Sequence, residues 1–419
     1  MEQLPRLTLG NPYFCRVRDE HTVLVDKTAK LVELANNHRV FLARPRRMGK
    51  TLLHTTLTEL FTHGARNNPY FEGLAIKELW PDEWRYPVVY LSLFGLSNTE
   101  SLEAGLCTRI RSALVKAGFS EAQDQPVDVL NHQLERMSNL ILGHKIAVLI
   151  DDWDYPLLTC GNDVAAYEAR HAVLQTLMGW LYVQEGVAFT LVTGLGRDPY
   201  PSMVGDLLDI SRDAFFADLT GFTSEEISTY FAPHLKRAAE LIGCSSSELV
   251  EQIQEHYGNL CFDYDYQVIV ACPWSVTNFL QQAVDQPDSE PQFVPFRREG
   301  YRSDKLSMRP TSGNLVNPKP QAPNRDQVLR QAFLNMIEQS SDPHSWRKQV
   351  PVKRDLLINT LTQEYEVIKR AEVEVDYDEI KGMVLGCVAF AGMRGMAYDC
   401  QIECDELVAR FIAALPNLP

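Results

Sequence analysis

The chain lacks the residue patterns by which most catalytic classes announce themselves. Its nine cysteines include no Cys-x-x-Cys pair, and Cys400 with Cys404 has no nearby histidine pair to complete a zinc site. Ten histidines form neither H-E-x-x-H nor a helical i, i+4 metal pair. Ser92, Ser202 and Ser275 sit in no G-x-S-x-G elbow, which argues against a serine hydrolase. No apolar run is long enough to span a bilayer, so no membrane partner is expected. Positive charge is also short: the formal net charge is −15. That balance disfavours nucleic acid or anionic lipid as a whole-surface partner, although Arg44, Arg46 and Arg47 make one local basic patch. Met1 to Pro5 lacks the basic-then-apolar pattern of a secretory signal, and scattered, unpaired cysteines fit reduced thiols in a cytoplasm.

What the chain does have is 419 residues, 45% of them hydrophobic, enough for two or three domains with substantial cores. Its most informative segment is Arg44-Pro45-Arg46-Arg47-Met48-Gly49-Lys50-Thr51, directly after the apolar run Val40 to Ala43. This is the second half of the phosphate-binding pattern G-x-x-x-x-G-K-[ST], with Arg44 in place of the first glycine. In such a loop, backbone amides around Gly49 wrap phosphate oxygens and Lys50 reaches the outer phosphates. Thr51 joins a Mg²⁺ shell, and the following helix aims its positive end at the same anion. Gly-Lys-Thr alone arises often by chance; the strand before it and the helical Leu52 to Leu57 after it favour a real site. The expected nucleotide-binding set is Arg46, Arg47, Met48, Gly49, Lys50, Thr51 and Leu52.

The rest of the first half alternates strand and helix. A helix should run from Lys50 to about Thr62, a strand over Pro87 to Leu93, and a helix over Ser101 to Ala117. Ile146 to Ile150 is wholly apolar, as a central parallel strand covered on both faces would be. Helix over His171 to Val183 and strand over Val187 to Val192 follow. This alternation predicts an α/β fold with a parallel sheet over residues 1–221. Thr223 with Glu226, and Ser245 with Glu248, then read as capping boxes that open a helical subdomain over 222–285. Residues 286–419 are expected to be an α-rich region with an irregular, proline-rich stretch at 286–323. Helices are expected from Gln327 to Gln339 and from Asp405 to Leu415.

A phosphate loop needs an acid at a neighbouring strand end, and Asp151-Asp152-Trp153-Asp154 follows Ile150. Asp151 is the expected Mg²⁺ carboxylate and Asp152 the expected catalytic one, where glutamate is usual. Aspartate is shorter by one methylene, on the order of 1.5 Å, and misplacement of that size costs about a hundredfold. Thr193, at the end of the strand over 187–192, stands equally as a γ-phosphate sensor and as part of an ordinary glycine-rich turn. Arg197 stands as a phosphate contact or a surface ion-pairing residue.

These motifs together resemble the AAA-ATPase-like proteins of bacteria and archaea, which often carry a C-terminal nuclease-like domain of the PD-(D/E)XK type. Val25-Asp26-Lys27-Thr28 resembles the family's V-D-K-T segment, and its loop usually has arginine at the first position. Pro87 to Leu93 resembles its P-V-I-x-L strand. Leu149 to Asp154 resembles L-I-D-E-Y-D, departing at Asp152 and Trp153. Leu219-Thr220-Gly221-Phe222-Thr223 resembles the turn into a helical lid, with Pro273-Trp274-Ser275-Val276 a later signature. Thr311-Ser312-Gly313-Asn314 resembles T-S-G-N, so the proline-rich stretch is expected to be ordered. Asp405-Glu406-Leu407-Val408 sits where the family carries a helix ahead of its nuclease-like part.

No D…E-x-K constellation follows residue 320; Glu372, Glu374, Asp376 and Asp378 read as a solvated acidic face. The resemblance implies ATP and Mg²⁺ as cofactors, turnover of ATP, and a sensor or regulator role of the kind found in phage defence and mobile elements. Expected partners are a second copy of the chain or a separate effector protein. The alternatives are a non-hydrolysing nucleotide switch or scaffold and, against the charge, a nucleic-acid-binding module.

Overall fold

The computed structural model describes residues 4–96, 102–123, 129–159, 164–195, 207–211, 213–258, 260–263, 267–286 and 288–293. Gly196, Arg197, the T-S-G-N segment, the acidic run at 372–378 and the helices expected at 327–339 and 405–415 lie outside them. The chain divides into two compact units, one of Met1–Gly258 with Val270–Phe293, the other of Asn259–Ile269 with Val294–Pro419. Within the second unit, the Asp263 carboxylate accepts the amides of Gln267 (3.0 Å) and Val268 (2.8 Å).

A five-stranded, wholly parallel sheet organises the first unit. Its strands are β1 (Arg39–Ala43), β2 (Val88–Ser92), β3 (Ile146–Asp151), β4 (Val187–Gly194) and β5 (Leu208–Asp209), in the order β2-β3-β4-β1-β5. β3 is buried at all six positions, which explains the unbroken apolar run Ile146 to Ile150: a strand covered on both faces has no polar side. Among the described residues seven helices belong to this layer: α1 (Phe14–Asp19), α2 (Lys30–Asn36), α3 (Lys50–His63), α4 (Leu102–Lys116), α5 (Leu130–Leu140), α6 (Tyr155–Leu158) and α7 (Val164–Tyr182). Leu53, Leu57, Leu60 and Phe61 of α3 join Leu42, Leu149, Phe189 and Leu191 of the sheet in one core. The 3.6-residue repeat of α3 therefore sets which face meets the strands.

Most boundaries read from the sequence agree to within one or two residues. One needs correction: α7 begins at Val164, not His171. Its first two turns contain Ala165, Ala166 and Ala169, whose helix propensity needs no apolar stripe.

Among the described residues four helices form a second cluster in the same unit: α8 (Ser224–Tyr230), α9 (Ala232–Ile242), α10 (Ser246–Tyr257) and α11 (Pro273–Asp285). Both capping boxes are made. Thr223 accepts the Glu226 amide while Glu226 accepts that of Thr223, and Ser245 and Glu248 repeat the exchange. Leu235, Leu249, Ile253, Phe279 and Leu280 fill this cluster together with Leu7 and Val25 from ahead of β1.

The Val25-Asp26-Lys27-Thr28 segment straps the two layers together. Asp26 Oδ2 accepts the Ala75 amide (2.7 Å), and Thr28 Oγ1 accepts that of Ile76 (3.2 Å). In the other direction, Lys27 Nζ donates to Glu226 Oε1 at 2.5 Å, onto the same carboxylate that caps α8. Burial pushes the Lys27 ammonium below its ordinary pKa, and Glu226 works against that shift. Replacing Thr223 by alanine should cost about 1 kcal/mol, read as a lower urea midpoint with an unchanged slope.

Candidate nucleotide site

Parallel pairing brings the carboxyl ends of β3, β4 and β1 to one rim, the side of an α/β sheet where ligands bind. Ser92 pairs with Asp151, Leu42 with Thr193, and Ala43 with Gly194. The chain leaves β1 through residues 44–49 and enters α3 at Lys50. Gly49 has φ +95°, and a Cβ built there would meet nothing within 4 Å. The backbone at this point is both left-handed and open to close approach. The first helical bond, Leu53 N–H to Gly49 O at 3.0 Å, leaves the amides before it without an intrahelical acceptor.

Arg44 does not face the loop's interior. Its guanidinium is buried and donates to the carbonyls of Ala43 (2.9 Å), Ser211 (2.8 Å) and Phe216 (3.0 Å). Burial lowers its pKa, while Asp209 and Asp218 support the charge. The arginine at the first motif position thus anchors the base of the loop to the chain beyond β5. Arg47, exposed and with φ +66°, lays its guanidinium over the Trp274 ring at 5.5 Å. Met48 is buried beneath the loop, near Gly221.

Lys50 is buried, and its ammonium donates to Arg44 O (3.0 Å) and Pro45 O (3.1 Å). Burial lowers its pKa, while Asp152, Asp151 and Asp154 favour its charge. Thr51 donates to Asp151 Oδ2 at 2.6 Å, joining the start of α3 to the end of β3. Thr193 donates to Asp151 Oδ1 at 2.7 Å, and the Asp152 amide reaches the same oxygen at 3.1 Å. Burial alone would raise the Asp151 pKa; the Thr51 and Thr193 hydroxyls and the Lys50 charge oppose it, and the carboxyl lies below its ordinary value. Among the described residues no group of three or more His, Cys, Asp or Glu side chains is placed to hold a metal ion. A Mg²⁺ that takes most of its oxygens from phosphate and water needs no such group.

The comparison with known proteins agrees with this geometry. Residues 8–197 match the family described as Predicted AAA-ATPase. Over these residues the chain is similar to the AAA-ATPase-like family. A protein of Azotobacter chroococcum mcd 1, described as an uncharacterized protein in the vnfD 5' region, is similar over 241 residues at 29% identity. The match covers 55% of this chain and 45% of that protein, so the chain spans under half the length of this curated relative. No solved structure matches.

Asp152 stands where the L-I-D-E-Y-D segment that this sequence resembles has glutamate, and the backbone supplies a reason. Asp152 has φ +54°, a region that aspartate tolerates better than glutamate because its short side chain bonds locally. Burial first, then the neighbouring Asp151, pushes its pKa up to about 6, against the pull of Lys50. Trp153, standing where the pattern has tyrosine, is buried edge-on to Phe41 at 6.3 Å between centroids. It also explains Gly194: a Cβ there would lie 2.4 Å from Trp153 Cδ1.

The AAA-ATPase-like segment also holds two site residues that motif reading passed over. Tyr90 O–H donates to Asp151 Oδ2 at 3.4 Å, and the His54 ring contacts Thr193. Helical spacing was the available signal for His54, since it stands four residues after Lys50 and so on the same face.

No helix among the described residues is long and apolar enough to cross a membrane. Replacing Arg44 by glycine, the residue the general motif asks for, should destabilise the fold by about 3 kcal/mol by orphaning buried carbonyls. Chemical denaturation would show it as a lowered midpoint.

Proposed function

We propose that this chain is a P-loop ATPase that binds ATP with Mg²⁺ at the rim formed by residues 46–52, Asp151, Asp152 and Thr193. The Thr51–Asp151 hydrogen bond is the observation that supports it most directly. It joins the loop's terminal hydroxyl to a buried strand-end carboxylate, the two groups that would hold Mg²⁺. Residues 46–52 would wrap the phosphates with their amides. Lys50 would exchange the carbonyls of Arg44 and Pro45 for outer phosphate oxygens, which answer its charge better. Thr51 and Asp151 would hold the Mg²⁺, whose chemistry here would be to neutralise phosphate charge. Asp152 would orient the attacking water, and a carboxylate of pKa about 6 can accept its proton. Thr193 acts through Asp151, to which its only proton is committed.

On the family's pattern the chain would be a sensor or regulator, of the kind found in phage defence or mobile elements, working in the cytoplasm as a homo-oligomer or with a separate effector. The domain division that goes with this reading is an ATPase core over 1–221, a helical lid over 222–285 and an α-rich region over 286–419.

A non-hydrolysing nucleotide switch is the second reading, and the short reach of Asp152 favours it. Steady-state phosphate release separates the two. Wild type should turn over ATP in a Mg²⁺-dependent way, and Lys50→Ala should lower the rate at least about a hundredfold. Equal release from both proteins, with nucleotide still bound by wild type, would establish the switch. Asp152→Glu restores the longer reach at a stability cost of about 1 kcal/mol from the left-handed backbone. Its phosphate release, set beside its melting temperature, tells whether reach limits turnover.

A further inference from the structure

His54 is a buried imidazole that the proposed chemistry does not use. It lies one turn into α3 after Lys50, and both it and Thr193 are 0% exposed. Its Nε2 is 2.8 Å from Thr193 Oγ1 and 3.7 Å from Asp151 Oδ1. The ring stands 5.7 Å from that of Tyr90 between centroids.

Counting protons sets the direction of each bond. An ionised Asp151 can only accept, so the single Thr193 proton points at Oδ1, 2.7 Å away. The Thr193 oxygen is then left to accept, and His54 Nε2 must carry the imidazole proton. Nδ1 is bare, and it has no hydrogen-bond partner among the described residues. Burial favours this neutral ring. An apolar side chain would fill the same space without an unpaired nitrogen. What the imidazole adds is one donor, aimed at Thr193.

We infer that His54 is a positioning residue of the hydrolytic site: its Nε2–H holds the Thr193 hydroxyl in the rotamer that donates to Asp151. The chain of bonds His54 to Thr193 to Asp151 then keeps the second oxygen of Asp151 turned to Thr51. His54 touches no nucleotide in this arrangement. The inference rests on the ATPase reading above, because what it positions is the site for turnover.

Phosphate release and nucleotide binding of His54→Leu, His54→Gln, Thr193→Val and the Leu/Val double variant test it. His54→Leu should lower kcat about tenfold while nucleotide affinity stays within about threefold of wild type. His54→Gln, whose amide places a donor near the position of Nε2, should recover most of that loss. In the Thr193→Val background, His54→Leu should have no further effect, because the two act as one unit. A His54→Leu protein with wild-type kcat, a folded His54→Gln no better than His54→Leu, or independent losses in the double variant would each overturn the inference. The imidazole ¹⁵N shifts of wild type give a reading that needs no variant to fold, and a proton on Nδ1 in place of Nε2 overturns it as well. Wild type no faster than Lys50→Ala would instead sink the ATPase reading, and the inference with it. Wild-type turnover with an indifferent His54→Leu sinks the inference alone.

Discussion

The rim of this sheet depends on how one buried carboxylate is satisfied. Asp151 accepts from Thr51 on α3, Thr193 on β4 and the amide of Asp152. An ionised group so deeply buried is tolerable only when its lone pairs are filled. Filling them ties the ends of two strands and the start of a helix to a single point. Lys50 then finds a field from Asp151, Asp152 and Asp154 that favours its charge despite burial. The placement of the Thr51 and Thr193 hydroxyls follows from that carboxylate.

The parts of this arrangement that could be read from the chain are those set by local rules. Ile146 to Ile150 reads as a central strand because every residue is apolar, and both capping boxes are legible because their chemistry spans four residues. α7 was placed seven residues short because its opening turns carry alanine in place of an apolar stripe. α5 was missed altogether, although Leu130, Leu134 and Met137 repeat at helical spacing on its buried side. At the site, Lys50, Thr51, Asp151 and Asp152 were legible as motif positions. His54 and Tyr90 were not, because their part depends on which strand ends become neighbours in space.

The residues that most resemble the family's signatures divide into two kinds of work. Arg44 and the Val25 to Thr28 strap hold structure: one anchors the base of the loop by three buried hydrogen bonds, the other ties the sheet layer to the cap of α8. An arginine where a glycine is usual is therefore a structural residue here, its guanidinium taken up by the carbonyls of Ala43, Ser211 and Phe216. Asp152 is the departure that bears on chemistry, and its left-handed backbone shows what the shorter side chain gains in exchange for reach.

Arg47 lies over Trp274 at the start of α11, and Trp274 in turn lies close against Gly10, where a Cβ would be 3.3 Å from its Cδ1. Three stretches distant in sequence thus share one indole at the mouth of the loop. The loop and the start of α11 are thereby coupled, because displacing Trp274 removes the ring on which Arg47 rests.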